Sequence, residues 1–173
     1  SRDQDDATSE EYARQMGLVA DLAYALGGEK ELRRISQFDQ VIQILDSQTR
    51  IHNYCGAGKS LLQLDTEGRF TTCNWFVNQA EEEVGRDEFL DEKHLAEFSQ
   101  PLVEKHGCET CWARYLCGGG CMFVFKSKTG SKHEKDNTFC YRTRYIIAKG
   151  IEYYGKARIE KGGQSEIHKE SAS

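Results

Sequence analysis

A chain of 173 residues, 38% hydrophobic and 29% charged, is long enough to bury the core of one domain. No apolar run approaches the roughly 18 residues that suggest a membrane span. The net charge of −5 argues against a nucleic-acid partner, because phosphate binding rests on clustered Lys and Arg. Seven cysteines are an odd number, and close spacings among them argue against a secreted disulfide framework. No signal peptide is visible, so a reducing cytoplasm is the expected compartment.

In chain order, Thr8-x-x-Glu11 has the form of a capping box, and Tyr12, Met16, Val19, Ala23 and Leu26 recur at helical spacing until Gly27-Gly28 stops the helix. A second helix is predicted from Glu29 to Asp46, with Leu32, Ile35, Phe38, Val41, Ile42 and Leu45 on its apolar face. After Cys55 the period changes. Leu62 and Leu64 alternate with polar neighbours, Asp65-Thr66-Glu67-Gly68 makes a turn, and Arg69 to Thr72 returns, which predicts a β-hairpin with Gly68 at positive φ. Such a hairpin brings its two ends, Cys55 and Cys73, close together. The acidic stretch Glu81 to Glu92 reads as a solvated loop and helix start.

A helix is expected from about Glu92 to His106, kinked or restarted at Pro101, the sole proline. Met122 to Phe125 reads as a buried strand. From Asn137, the residues Cys140, Tyr141, Tyr145, Ile146, Ile147 and Ile151 predict a closing helix, and the polar sequence from residue 156 to 173 reads as a frayed tail. Gly58-Lys59-Ser60 ends like a phosphate-binding loop, but its first glycine would fall at Asn53 and a strand follows where a helix is required. The five histidines are scattered and read as surface or loop residues. Trp75, Phe76, Trp112, Tyr115, Tyr153 and Tyr154 read as core packing.

The chemistry lies in the cysteines. Cys108-x2-Cys111-x5-Cys117-x3-Cys121 sets four thiols within fourteen residues, interrupted by Gly118, Gly119 and Gly120. Thiolates repel one another, so a multivalent cation that deprotonates and binds them is the simplest reason for the density. A cubane iron–sulfur cluster takes four cysteines and so does a structural zinc, and this spacing alone leaves both open. The three glycines would let the backbone turn close to such a group and offer it N–H donors.

The whole arrangement goes further. Twelve residues separate Cys55 from Gly68, four separate Gly68 from Cys73, and the four-cysteine run and the lone Cys140 follow. This resembles the seven-cysteine signature of the SPASM domain, the auxiliary-cluster domain of radical S-adenosylmethionine enzymes that modify peptides and proteins. The resemblance covers roughly Asn53 to Ile147. It implies two 4Fe–4S clusters on a small α+β scaffold: cluster I on Cys55, Cys73 and Cys121, and cluster II on Cys108, Cys111, Cys117 and Cys140. Cluster I then lacks one protein thiolate. Some relatives supply it six positions before the first cysteine, where this chain has Thr49, so His52, Asp46, water or substrate are its candidate eighth ligands.

The resemblance also implies an upstream catalytic barrel. The C-x3-C-x2-C triplet that binds S-adenosylmethionine is absent: Cys117-x3-Cys121 begins that pattern, but Val124 stands where its last cysteine belongs. Residues 1–50 are accordingly expected to be a helical bridge from that barrel, residues 51–155 the cluster domain and residues 156–173 a tail, and the piece alone would not cleave S-adenosylmethionine. In sulfatase-maturing relatives an aspartate follows the second cysteine. Here Asn74 occupies that position, and an amide is no general base at neutral pH. That departure favours relatives that crosslink peptides, for example through thioethers. The implied partners are a peptide or protein substrate, the barrel and an external electron donor or acceptor, with no nucleic acid and no membrane. Two other classes use the same cysteines: a structural zinc module for protein contacts, and an electron-transfer protein acting without a barrel.

Overall fold

The computed structural model describes residues 2–170, with side chains from residue 7 to residue 161. The chain is mixed helix and sheet, an α+β architecture, and it divides into two compact units. One comprises residues 1–50 and 138–173; the other comprises residues 51–137. The closing helix therefore groups with the N-terminal helices.

The first unit is helical. Helix α1 spans Arg2–Leu32, with its backbone broken at Gly27 and Gly28, the latter at φ +64°. Helix α2 spans Ser36–Ser47, and α7 spans Asn137–Glu170. Thr8 lies inside α1, so the expected capping box is overridden by helix that begins earlier, and Glu11 instead takes hydrogen bonds from Arg14 and Gln15. The single helix expected from Glu29 to Asp46 is broken by a turn at residues 33–35, where the Arg33 guanidinium reaches Glu29, Asp39 and Asp46. The polar stretch after Lys156 continues as helix through Glu170, with Ala157 buried.

Ala20, Leu32, Phe38, Ile42, Ile146 and Tyr153 form the core of this unit. Close helix approach needs small residues at two points. A Cβ on Gly150 would lie 2.8 Å from Val41, and one on Gly17 would lie 2.6 Å from the Tyr145 hydroxyl. At the margin of the core Glu29 is 12% exposed and paired with Arg33, Arg158 and Lys161. Burial alone would raise its carboxyl, but hydrogen bonds from Arg158, Arg33 and Lys161 hold it down at about 2.

The second unit is built of short pieces. Strands β1 (Gln63–Leu64), β2 (Arg69–Thr71), β3 (Glu83–Arg86) and β4 (Phe89–Leu90) form one antiparallel sheet in that order. The β1–β2 hairpin pairs Gln63 with Thr71 and Leu64 with Phe70, and Gly68 turns it at φ +77°, as the pattern predicts. The acidic stretch is not simply loop. It folds as β3 and β4, and Glu82 is buried beneath Lys126 and Lys132, 2.8 Å and 3.1 Å away.

The helix expected from Glu92 to His106 is divided into α3 (Glu92–Leu95), a 3-10 turn at Ala96–Phe98 and α4 (Leu102–Lys105), with Pro101 starting the last. Two further helices follow, α5 (Arg114–Cys117) and α6 (Met122–Thr129). Residues 122–125 are thus helix, not strand; Met122 and Phe125 point inward one turn apart. The core here is Ala57, Phe76, Val84, Phe98, Leu102 and Met122. Among the described residues no helix is long and apolar enough to cross a membrane.

Candidate metal centre

All seven cysteines are free thiols, and six of them lie in the second unit. Cys55 is exposed at the start of a tight turn, in which Lys59, Ser60 and Leu61 all donate backbone N–H groups to Gly56. Cys73 follows β2 and opens the 3-10 turn Asn74–Phe76. Cys108 and Cys111 are joined by a backbone bond from the Cys111 N–H to the Cys108 carbonyl. Cys117 ends α5, and Cys121 precedes α6. Cys140 sits in the other unit, in the first turn of α7.

Thiol electrostatics divide the second unit's cysteines into two neighbourhoods. Burial pushes the Cys73 thiol up, and Cys121 and Cys55 push it further. Burial likewise raises Cys108, with Lys135 opposing and Cys111 reinforcing. Thiols raised in this way keep their protons at neutral pH. Among the described residues, no three His, Cys, Asp or Glu side chains are gathered as a metal site.

The donor set nevertheless has the chemistry of a thiolate-bound metal group. Six thiols share the second unit without a disulfide. Next to Cys73 there is also an unmet hydrogen bond: Thr72 is fully buried and its hydroxyl has no partner. A buried, unpaired hydroxyl costs about 1–3 kcal/mol, and a bound anionic sulfur would relieve it. The donor set thus matches a thiolate-bound metal group in residue type, although among the described residues the side chains are not gathered around one point.

The glycine run has a local cause within the protein itself. Gly118, Gly119 and Gly120 are all left-handed, at φ +74°, +94° and +89°. A Cβ on Gly118 would lie 2.6 Å from the Asn53 backbone, and one on Gly119 would lie 2.7 Å from the Leu102 backbone. These two collisions are with protein, so the glycines let the segment between Cys117 and Cys121 press on the chain leading into Cys55.

Other sequence-selected residues are redistributed. Asp46 is paired with Arg33 and Arg158. The His52 ring lies 5.1 Å from Tyr115. Lys59 donates to the carbonyls of Ser99 and Gln100, a structural use that agrees with setting the phosphate loop aside. Trp75 and Trp112 are 63% and 57% exposed, so neither is core, whereas Phe76 and Tyr153 are. Trp75 stacks on Phe123 beside Cys73. Asn74 accepts a weak S–H contact from Cys73 at 3.8 Å through its carbonyl oxygen.

Two histidines expected at the surface are instead withdrawn from it. His106 is buried, its Nδ1 is 2.7 Å from the Gly119 carbonyl and its Nε2 is 3.4 Å from His133 Nδ1. Burial lowers both imidazoles, His133 to about 4. His106 thereby fastens the glycine run to the segment entering Cys108. Sequence offered only its nearness to that cysteine as a signal. His168 lies outside the residues whose side chains are described.

No protein-family model matches this chain, and no curated protein matches it.

Proposed function

We propose that this chain is the auxiliary-cluster part of a radical S-adenosylmethionine maturase acting on a peptide or protein. Cys55, Cys73 and Cys121 would hold cluster I, and Cys108, Cys111, Cys117 and Cys140 would hold cluster II. The observation that supports the reading is the placement of six free thiols, Cys55, Cys73 and Cys121 among them, in one unit built of short elements; the influence of Cys121 and Cys55 on the Cys73 thiol agrees with the trio that the spacing resemblance assigns to one cluster. Cys108 feels Cys111, its assigned companion in the other.

When bound, such groups supply one-electron transfer and, where an iron lacks a protein ligand, a site for a substrate thiolate. The chain's own residues prepare that chemistry. Cys73 packs against the core that contains Phe76 and Met122, which leaves it half-buried. Lys135 favours the Cys108 thiolate and donates to the Gly107 carbonyl at 2.6 Å, holding the loop entry. Asn74 offers Cys73 an amide oxygen and no base, which supports peptide crosslinking over sulfatase maturation.

The test is metal analysis of the anaerobically reconstituted chain. The reading predicts about eight irons and eight sulfides per chain with broad visible absorption. Stoichiometric zinc without sulfide would replace it with a structural module.

A further inference from the structure

We infer that the outer edge of strand β4, Phe89–Leu90, is a docking site for an extended peptide segment whose apolar residues are flanked by Lys or Arg. The inference uses none of the seven cysteines and goes beyond the cluster reading.

Strand β4 ends the sheet and pairs with β3 on one side only. The Asp91 N–H donates to the Val84 carbonyl at 2.8 Å, and antiparallel alternation then turns the N–H and C=O of the preceding residue, Leu90, away from β3. Both side chains of this edge are apolar and open to solvent, Phe89 at 80% exposure and Leu90 at 44%. Sheet edges of this kind accept an added strand unless something blunts them. An open groove of about 720 Å³, lined by Glu83, Asp87, Phe89, Leu90 and Asp91 among others, leaves room for the side chains of that strand.

Charge decides which strand fits. Glu81 and Glu82 are matched by Lys126, Glu82 also by Lys132, and Glu83 by Arg86. Asp87, Glu88, Asp91 and Glu92 are all exposed, and they stand in pairs on either side of Phe89–Leu90. None of the four has an ion-pair partner among the described residues, the hairpin's one arginine being taken by Glu83. A second copy of the chain is a poor occupant: in an antiparallel self-pair centred on Leu90, Glu88 would face Glu92, and like charges directly opposite one another destabilise a strand pair. Lys or Arg at the same places in another segment would meet those carboxylates favourably, while the segment's apolar residues cover Phe89 and Leu90.

The probe is a fluorescein-labelled decapeptide, Thr-Val-Lys-Lys-Val-Ile-Lys-Lys-Val-Thr, added to the 173-residue chain. Anisotropy reads its binding, and amide hydrogen exchange reads where it binds. Expected is saturable binding that weakens as salt rises, with protection gained at the Leu90 amide. The same peptide with glutamate for every lysine should not bind. N-methylation of the central Val-Ile, which keeps the charge and blocks strand pairing, should weaken binding about tenfold. In the protein, the exposed pair Glu88→Lys and Glu92→Lys should weaken the lysine peptide about tenfold and allow the glutamate peptide to bind. No binding, equal binding of the glutamate peptide, indifference to N-methylation or protection gained elsewhere would each overturn the proposal. So would a dimer in sedimentation that Leu90→Lys dissociates, because the edge would then belong to a second copy. Each of these failures leaves the cluster reading standing, since iron and sulfide content tests that separately.

Discussion

The two units solve the folding problem in opposite ways. The helical unit uses helices of up to 34 residues and an apolar core through which Leu32, Phe38 and Ile42 run fully buried. The cysteine unit uses strands of two to four residues and several four-residue helices, with many residues in turns. Short elements bury little apolar surface per ordered residue, so entropy is poorly offset. The difference teaches where external help is needed. Helices α1, α2 and α7 share an extended apolar core, whereas residues 51–137 bury theirs under short elements, which is where the proposed metal groups would add stability.

The comparison can be broken first in the helical core. Phe38→Ala removes a fully buried ring and should cost about 3–5 kcal/mol by chemical denaturation. Its effect should be confined to the transition that reports residues 1–50 and 138–161; an equal loss in both units would deny their separation.

In the cysteine unit the sensitive element is backbone, not side-chain volume. Gly119→Ala places a Cβ against Leu102 at positive φ and should cost about 1–3 kcal/mol. A change within about 0.5 kcal/mol would mean that the glycine run is free to relax.

The ionic margin of the helical unit comes next. Glu29→Ala removes the acceptor shared by Arg33, Arg158 and Lys161, of which Arg33 and Arg158 keep Asp46, and should cost about 1 kcal/mol. The units should also respond differently to acid. The Glu29 carboxyl is lowered from 4.5 to about 2 on folding, so its contribution is complete above 4.5 and is lost as pH falls toward 2. His133 is lowered from 6.5 to about 4, so the unfolded state takes the proton first and the cysteine unit weakens earlier, between 6.5 and 4. Denaturation across this range should show two windows, and His133→Gln should shrink the upper one, leaving the share that belongs to buried His106. The smallest effect belongs to Trp112→Ala, an exposed ring expected to change stability by less than about 0.5 kcal/mol.

Legibility in the sequence followed the same division. The hairpin and its Gly68 were readable because alternation and turn chemistry are local. Met122 to Phe125 were misread because four consecutive apolar residues lack a period, and length must decide between strand and helix. Strands β3 and β4 were hidden by their carboxylates; the burial of Glu82 depends on Lys126 and Lys132, which are distant in sequence. Thr8 was misread as a helix start because a capping pattern inside a longer helix looks the same locally. The cysteine spacing gave the candidate groups, but not the orphaned Thr72 hydroxyl or the His106 bond to Gly119, which exist only after folding.

The most direct test of the account is amide hydrogen exchange on the reconstituted chain before and after iron and sulfide are stripped by a chelator. The account predicts that residues 51–137 lose protection while the buried turns of α1, α2 and α7 keep theirs. Unchanged protection in residues 51–137 after complete stripping would contradict it, because that unit would then be stabilised by the polypeptide alone.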